Sequence, residues 1–190
     1  MSKSIKKAVY LIFLAIFILL LYLVYTIGPA QIVDFIGLEN TYLVIFFFAF
    51  VGGVFFLTAA TFYTTLATFV VGGADLLTLS LISAIGLTIG DFFFYFLGRK
   101  AKLFINDSKY KSKVEKFSNW IRAKSDKTIF WFLLLYWSFA PLPNDIPSSG
   151  LGIAGYNWKK MILPIFVGNI NYNLLIGSLA MFGYSIYGVL

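Results

Sequence analysis

SFAPLPNDIPSSG, residues 138–150, places three prolines, an asparagine, an aspartate and serines between two strongly apolar stretches. A surface loop holds such residues without penalty, whereas a segment at membrane depth does not. Proline lacks a backbone donor and stops a helix, so the chain must break here. The arms on either side decide where the break lies. Residues 129–140 make an apolar arm of only a dozen residues, and 151–158, ending at Lys159 and Lys160, is shorter still. At about 1.5 Å per residue, neither arm crosses a hydrocarbon core of about 30 Å. The spacing predicts a re-entrant hairpin over 129–160 with Pro141, Pro143 and Pro147 at its tip. The alternative is a cytoplasmic loop between two short interfacial helices.

Composition supplies the lipid context. Of the 190 residues, 60% are hydrophobic and 12% charged, against roughly 45–50% apolar and about 25% charged in soluble domains. Mean hydropathy is +0.87. These values predict an all-α integral membrane protein with a single membrane domain over 1–190. There is no Cys and no His. Disulfides, thiolate chemistry, Cys–His and Ser–His–Asp nucleophiles and the usual zinc sites are therefore excluded. An enzyme is not expected, nor a metal or cofactor.

Outward from the hairpin, the apolar run over 8–27 follows Lys3, Lys6 and Lys7. It is longer than a signal-peptide core of about 7–15 residues and reads as a retained first transmembrane helix. Residues 41–74 are too long for one crossing and too short for two. Gly52-Gly53 and five threonines within 57–68 interrupt them. A second re-entrant hairpin fits this stretch, because non-helical backbone at membrane depth is tolerated where it is buried in protein or lines a cavity. One long tilted helix is the alternative. Residues 76–98 and 161–187 are spans. Between them, 99–127 is polar and basic, with Tyr110, Val114, Phe117 and Ile121 recurring at helical spacing. This segment reads as a cytoplasmic amphipathic helix facing anionic headgroups or packed on its own protein. A basic segment bordering spans has a lipid partner, so nucleic acid is not expected.

Charge tests the layout. With the amino terminus inside and the two hairpins dipping in from opposite faces, all 15 Lys and Arg are cytoplasmic. The exterior then holds Asp34, Glu39 and Asp75, and the positive-inside rule is obeyed throughout. A single crossing at 41–74 would strand the 99–127 block outside. Hairpin plus helix, twice and in opposite senses, is the plan of an inverted-topology repeat with interrupted helices meeting near the midplane. The carboxyl terminus is then external. The symmetry is one of topology, without a residue-level repeat.

Asp91 stands inside the span over 76–98, where an ionised carboxylate costs about 2.5–3.5 kcal/mol on insertion scales. Tyr95, four residues on, shares its helix face and can reach it. Arg99, one further turn along, lies near the headgroups, where its fork suits a phosphate. Gly86 and Gly90 form a small-xxx-small pair that permits close helix contact. Gly98 is placed to end the helix before Arg99. Asn144 and Asp145 make the second hairpin tip polar. The bland readings are a protonated Asp91 making one inter-helix hydrogen bond and an Arg99 that is a plain interfacial anchor.

The stretch GLTIGDFFFYFLGR, residues 86–99, read as G-x-x-x-G-D-x-x-x-Y-x-x-G-R, resembles the signature of the DedA family of VTT-domain (SNARE-associated) membrane proteins. FAPLPNDIPSSGLGIAG, residues 139–155, is similar to that family's second motif, F-x-P followed by turn residues and A-G. The resemblance covers roughly 41–175. It implies two opposed re-entrant hairpins and a lipid transporter, a flippase of isoprenoid phosphate or a scramblase of phospholipids. It carries over Asp91, Tyr95 and Arg99. Bacterial members carry a Glu at the first hairpin tip, where this chain reads ATFYTTLAT (60–68), and Arg on both sides of F-x-P, where it has Ser138 and Asn144. Pro143-Asn144 instead resembles the scramblase branch, so weak proton coupling or none is expected.

The expectation is therefore a lipid transporter in the cell (inner) membrane. Its partners are anionic or phosphate-headed lipids, and the residues of its path are Asp91, Tyr95, Arg99, Asn144 and Asp145. A homo-oligomer is left open. The rival is a non-transporting scaffold or assembly factor that docks partners through its basic helix.

Overall fold

In a computed structural model of the chain, the residues described are 15, 19, 22, 26–54, 59–105 and 111–187. Of the first transmembrane helix expected over 8–27, most positions lie outside them, as does Tyr110. The described residues form eight helices and no strand. These are α1 (Pro29–Ile36), α2 (Leu38–Val54), α3 (Ala59–Val71), α4 (Leu76–Ile105), α5 (Lys111–Arg122), α6 (Asp126–Phe139), α7 (Asp145–Ala154) and α8 (Lys159–Tyr187).

Two stretches are long and apolar enough to cross a membrane, Leu76–Lys102 of α4 and Lys159–Ile186 of α8. The pair α1 and α2 passes the same test jointly but is bent by 100°. The bend falls at Gly37, whose φ of 84° is a conformation that glycine adopts without strain. α4 begins at Asp75, whose carboxylate accepts from the Thr78 backbone N–H at 2.8 Å and the Thr78 hydroxyl at 2.6 Å. These hydrogen bonds hold the Asp75 carboxyl below its usual range. α6 begins at Ser125, which accepts from the Thr128 N–H. Pro147 lies in the first turn of α7, where a missing N–H leaves no helical bond unmade.

Along α4, Leu77, Leu81, Ile85, Ile89, Phe93 and Leu97 are all exposed. They recur every four residues and form one apolar stripe about 30 Å long at about 1.5 Å per residue, the thickness of a bilayer core. The opposite face of α4 is buried by four helices. α2 runs parallel to it, with Phe46 and Phe50 against Gly86 and Gly53 against Gly90. α7 packs beside its far half, with Ser149 against Gly98 and Gly152 against Tyr95. α8 runs antiparallel to it, and α3 makes a smaller contact. α8 in turn carries α6, parallel to it through Trp137 on Gly168 and Ser138 on Asn171. It also carries α3, through Tyr63 beside Tyr172 and Val70 near Gly177.

The buried apolar residues form two clusters. One gathers Ile45, Phe62, Leu66 and Leu79 from α2, α3 and the start of α4. The other gathers Tyr95, Leu133, Trp137, Leu151 and Met161 from the far end of α4 and from α6, α7 and α8. Thr88, Asp91 and Asn169 are buried polar residues, and on α4 Thr88 and Asp91 fall between Leu87 of the first cluster and Tyr95 of the second.

Two expectations change. α4 does not end at Gly98 but continues to Ile105, because Gly98 lies in direct contact with the Ser149 backbone and serves helix packing. The basic stretch is not one helix over 99–127: it divides among α4, α5 and the start of α6. α5 turns Ile121 and Ser118 inward and packs on α7, leaving Phe117 and Trp120 partly open.

Candidate functional site: a buried carboxylate beside the helix junctions

Asp91 is 2% exposed. An unpaired carboxylate in such a place is strongly disfavoured, and two neighbouring helices supply its partners. The Trp137 indole N–H of α6 donates to Asp91 Oδ2 at 2.8 Å. The Asn169 amide of α8 donates to the same oxygen at 3.0 Å and reaches Thr88 Oγ1 at 3.2 Å. One carboxylate thus ties α4, α6 and α8 together.

Asp91 lines a cavity of about 240 Å³. One wall comes from the facing ends of α2 and α3, through Gly52, Gly53, Ala59 and Tyr63. The other comes from the α6–α7 junction, Ala140 through Asp145, with Trp137 behind it. Leu87 and Phe94 of α4 and Asn169 and Tyr172 of α8 complete it. Tyr63 and Tyr172 meet edge to face, with ring centroids 5.3 Å apart. The α6–α7 junction is held by the Tyr136 hydroxyl, which donates to the Pro143 carbonyl at 3.3 Å. The Asp145 carboxylate accepts from the Ile146 N–H at the head of α7. The cavity thus offers carboxylates, amides and phenols to an occupant among apolar lining residues.

The residues singled out in the sequence divide into two groups. Asp91, Asn144, Asp145, Pro141 and Pro143 line this one cavity. Tyr95 and Arg99 do not. The Tyr95 hydroxyl donates to the Tyr156 carbonyl and makes no bond to Asp91. Arg99 is exposed on α4 beyond the contact with Gly152. Gly86 and Gly90 sit against α2; a Cβ on Gly90 would fall 2.5 Å from the Gly53 carbonyl carbon. Tyr63, Trp137, Asn169 and Tyr172 belong to the site and were not singled out. The run Asn169, Asn171, Asn173 in a span was the available signal, since buried amides need partners. Asn171 donates to Ser138 and Asn173 to the Ser80 carbonyl. No cluster of metal-ligating side chains occurs among the described residues.

Comparison of the chain with protein-family models, with curated proteins and with solved structures finds no match.

Proposed function

We propose that this protein moves lipid headgroups across a bilayer, in the manner of the DedA/VTT lipid transporters its motifs resemble. The observation that carries the reading is the cavity beside Asp91, where the facing ends of α2 and α3 meet the α6–α7 junction. A headgroup needs a polar path through a region that is otherwise hydrocarbon, and irregular backbone at membrane depth occurs where it lines such a path.

Packing supports an inverted repeat of α2–α3–α4 and α6–α7–α8. In each unit the first arm lies parallel to its own long helix, α2 on α4 and α6 on α8. The second arm lies on the long helix of the other unit, α3 on α8 and α7 on α4. The two long helices are antiparallel, so the arms enter from opposite faces. The amino terminus and the basic α5 are cytoplasmic in this reading, and the membrane is a cell membrane.

Reconstituted protein should accelerate exchange of labelled phospholipid between leaflets. Asp91→Asn keeps the shape and both hydrogen-bond partners but removes the charge, and should slow exchange. Asn144→Leu should slow it as well. Wild-type exchange in both variants, in folded protein, would take the path away from this cavity, and no acceleration by the wild type would leave the scaffold reading in its place. The same assay with and without a proton gradient decides whether movement is driven.

A further inference from the structure

Away from the central cavity, two further spaces share a wall. One is an apolar groove of about 620 Å³ between α5, α6 and α7, walled by Trp120, Ile121, Phe132 and Leu151. The other is a polar cavity of about 220 Å³ where the end of α5 meets the α7–α8 turn. Ile121 and Lys124 line both spaces. The groove falls within the roughly 300–1,000 Å³ typical of ligand sites.

The polar cavity is cationic. Arg122, Lys124 and Lys160 line it against one carboxylate, Asp126, for a net of three minus one, or +2. Asp126 is already engaged by the Lys160 ammonium and the Tyr156 hydroxyl. Those two hydrogen bonds hold its carboxyl below the usual range, so it stays ionised. Arg122 and Lys124 form no ion pair among the described residues. The Lys124 ammonium sits over the Trp120 ring, 5.1 Å from its centroid, at the boundary between the cationic and apolar spaces.

We propose that α5, α6 and the α7–α8 turn build a binding site for one anionic phospholipid, its phosphate between Arg122 and Lys124 and an acyl chain in the groove. Charge complementarity selects the headgroup. The groove selects the chain: Trp120, Phe132 and Ile146 line it and are themselves exposed, so it is open at the apolar surface and a lipid enters sideways from the bilayer. Free phosphate would leave the groove unfilled. The site rests on the chain lying in a membrane, as read above, but not on its moving lipid. It adjoins the central cavity, because Tyr136 walls the groove and its hydroxyl holds the Pro143 carbonyl of the α6–α7 junction. A lipid held here is therefore placed next to the proposed path.

The test uses the purified full chain in detergent, with bound lipid counted by native mass spectrometry during titration with phosphatidylglycerol or phosphatidylcholine. One phosphatidylglycerol should be retained per chain, preferred over phosphatidylcholine by about thirtyfold at roughly one Lys or Arg increment for each of two cations. Arg122→Ala with Lys124→Ala should abolish the preference. Trp120→Ala, at a residue 56% exposed, should weaken both lipids. Inorganic phosphate should not displace the bound lipid. Equal retention of the two lipids by the wild type, an unchanged preference in the double variant, or displacement by inorganic phosphate would each overturn the proposal. Asp91→Asn should bind as the wild type does, so loss of exchange in that variant and loss of this site are read separately.

Discussion

The Trp137 indole and the Asp91 carboxylate, 46 positions apart, meet at 2.8 Å in the buried centre of the protein. Trp137→Phe keeps most of the ring and removes the donor. Leaving a buried acceptor short of a partner costs roughly 1–3 kcal/mol, whereas removing both partners can be nearly neutral. The single variant should therefore unfold at lower denaturant or temperature than the wild type. The same change made in an Asp91→Leu background should have a smaller effect. Equal losses in the two backgrounds would mean that the indole matters only as packing.

Glycines on α4 and α7 set how closely these helices approach their neighbours, and Gly183 does not. A Cβ at Gly98 would collide with the Ser149 backbone, and one at Gly152 with the Tyr95 carbonyl. Overpacking of this kind costs roughly 1–3 kcal/mol. Gly98→Ala and Gly152→Ala should each lower the unfolding midpoint and push α7 away from α4. Gly90→Ala and Gly86→Ala should do the same between α4 and α2. Gly183, on α8, has nothing within 4 Å of its Cβ position. Gly183→Ala should be neutral or stabilising by up to about 1 kcal/mol, since alanine favours a helix. Thermal unfolding of the five variants under one condition separates crowding from propensity.

Much of this was legible in the sequence, and the remainder had a physical reason to be hidden. Length and hydropathy are local properties, so the spans in α4 and α8 and the interruption at 140–144 could be read directly. Helix ends were less legible. Gly98 looked like a stop because glycine weakens a helix by about 1 kcal/mol, but contact with α7 offsets that loss and α4 continues. Tyr95 shares a face with Asp91, yet its hydroxyl finds the Tyr156 carbonyl just past the end of α7. Tyr156 lies in the turn between α7 and α8, and only the fold reveals that its carbonyl is near. Asp91 announced itself by its rarity in a span. Of its partners, Asn169 was signalled by the run of three amides in a span, but that it and Trp137 converge on Asp91 is a tertiary fact.

The Asp126 carboxylate gives the α6–α8 contact a pH dependence of known sign. Its hydrogen bonds from Lys160 and Tyr156 lower its folded-state pKa below the unfolded value of about 3.9. A depressed carboxylate contributes stability that is fully present above the unfolded pKa and is lost as pH falls through the folded one. The wild type should therefore lose stability below about pH 4 more steeply than Asp126→Asn. Both groups are exposed, so the difference is small, and it should shrink further in high salt. Unfolding midpoints of the two proteins between pH 3 and 6 test this. Parallel curves would show that the pair does not contribute.

Orientation in the membrane is open to a direct chemical test, because the chain has no cysteine of its own. Asp34 on α1 and Glu115 on α5 are both exposed, so neither substitution disturbs packing. The proposed layout puts them on opposite faces. Every described Lys and Arg then lies on the side of α5, as the bias of cytoplasmic loops toward positive charge requires. In intact cells or sealed right-side-out vesicles, Asp34→Cys should react with a membrane-impermeant maleimide at once. Glu115→Cys should react only after the membrane is opened. The stripe from Leu77 to Leu97 should be inaccessible in both cases, because its length matches the hydrocarbon core. Labelling of positions 34 and 115 from the same side would remove the opposed entry of α2–α3 and α6–α7. A path through the bilayer at Asp91 would then lose its outer half, and the transport reading would fall with it.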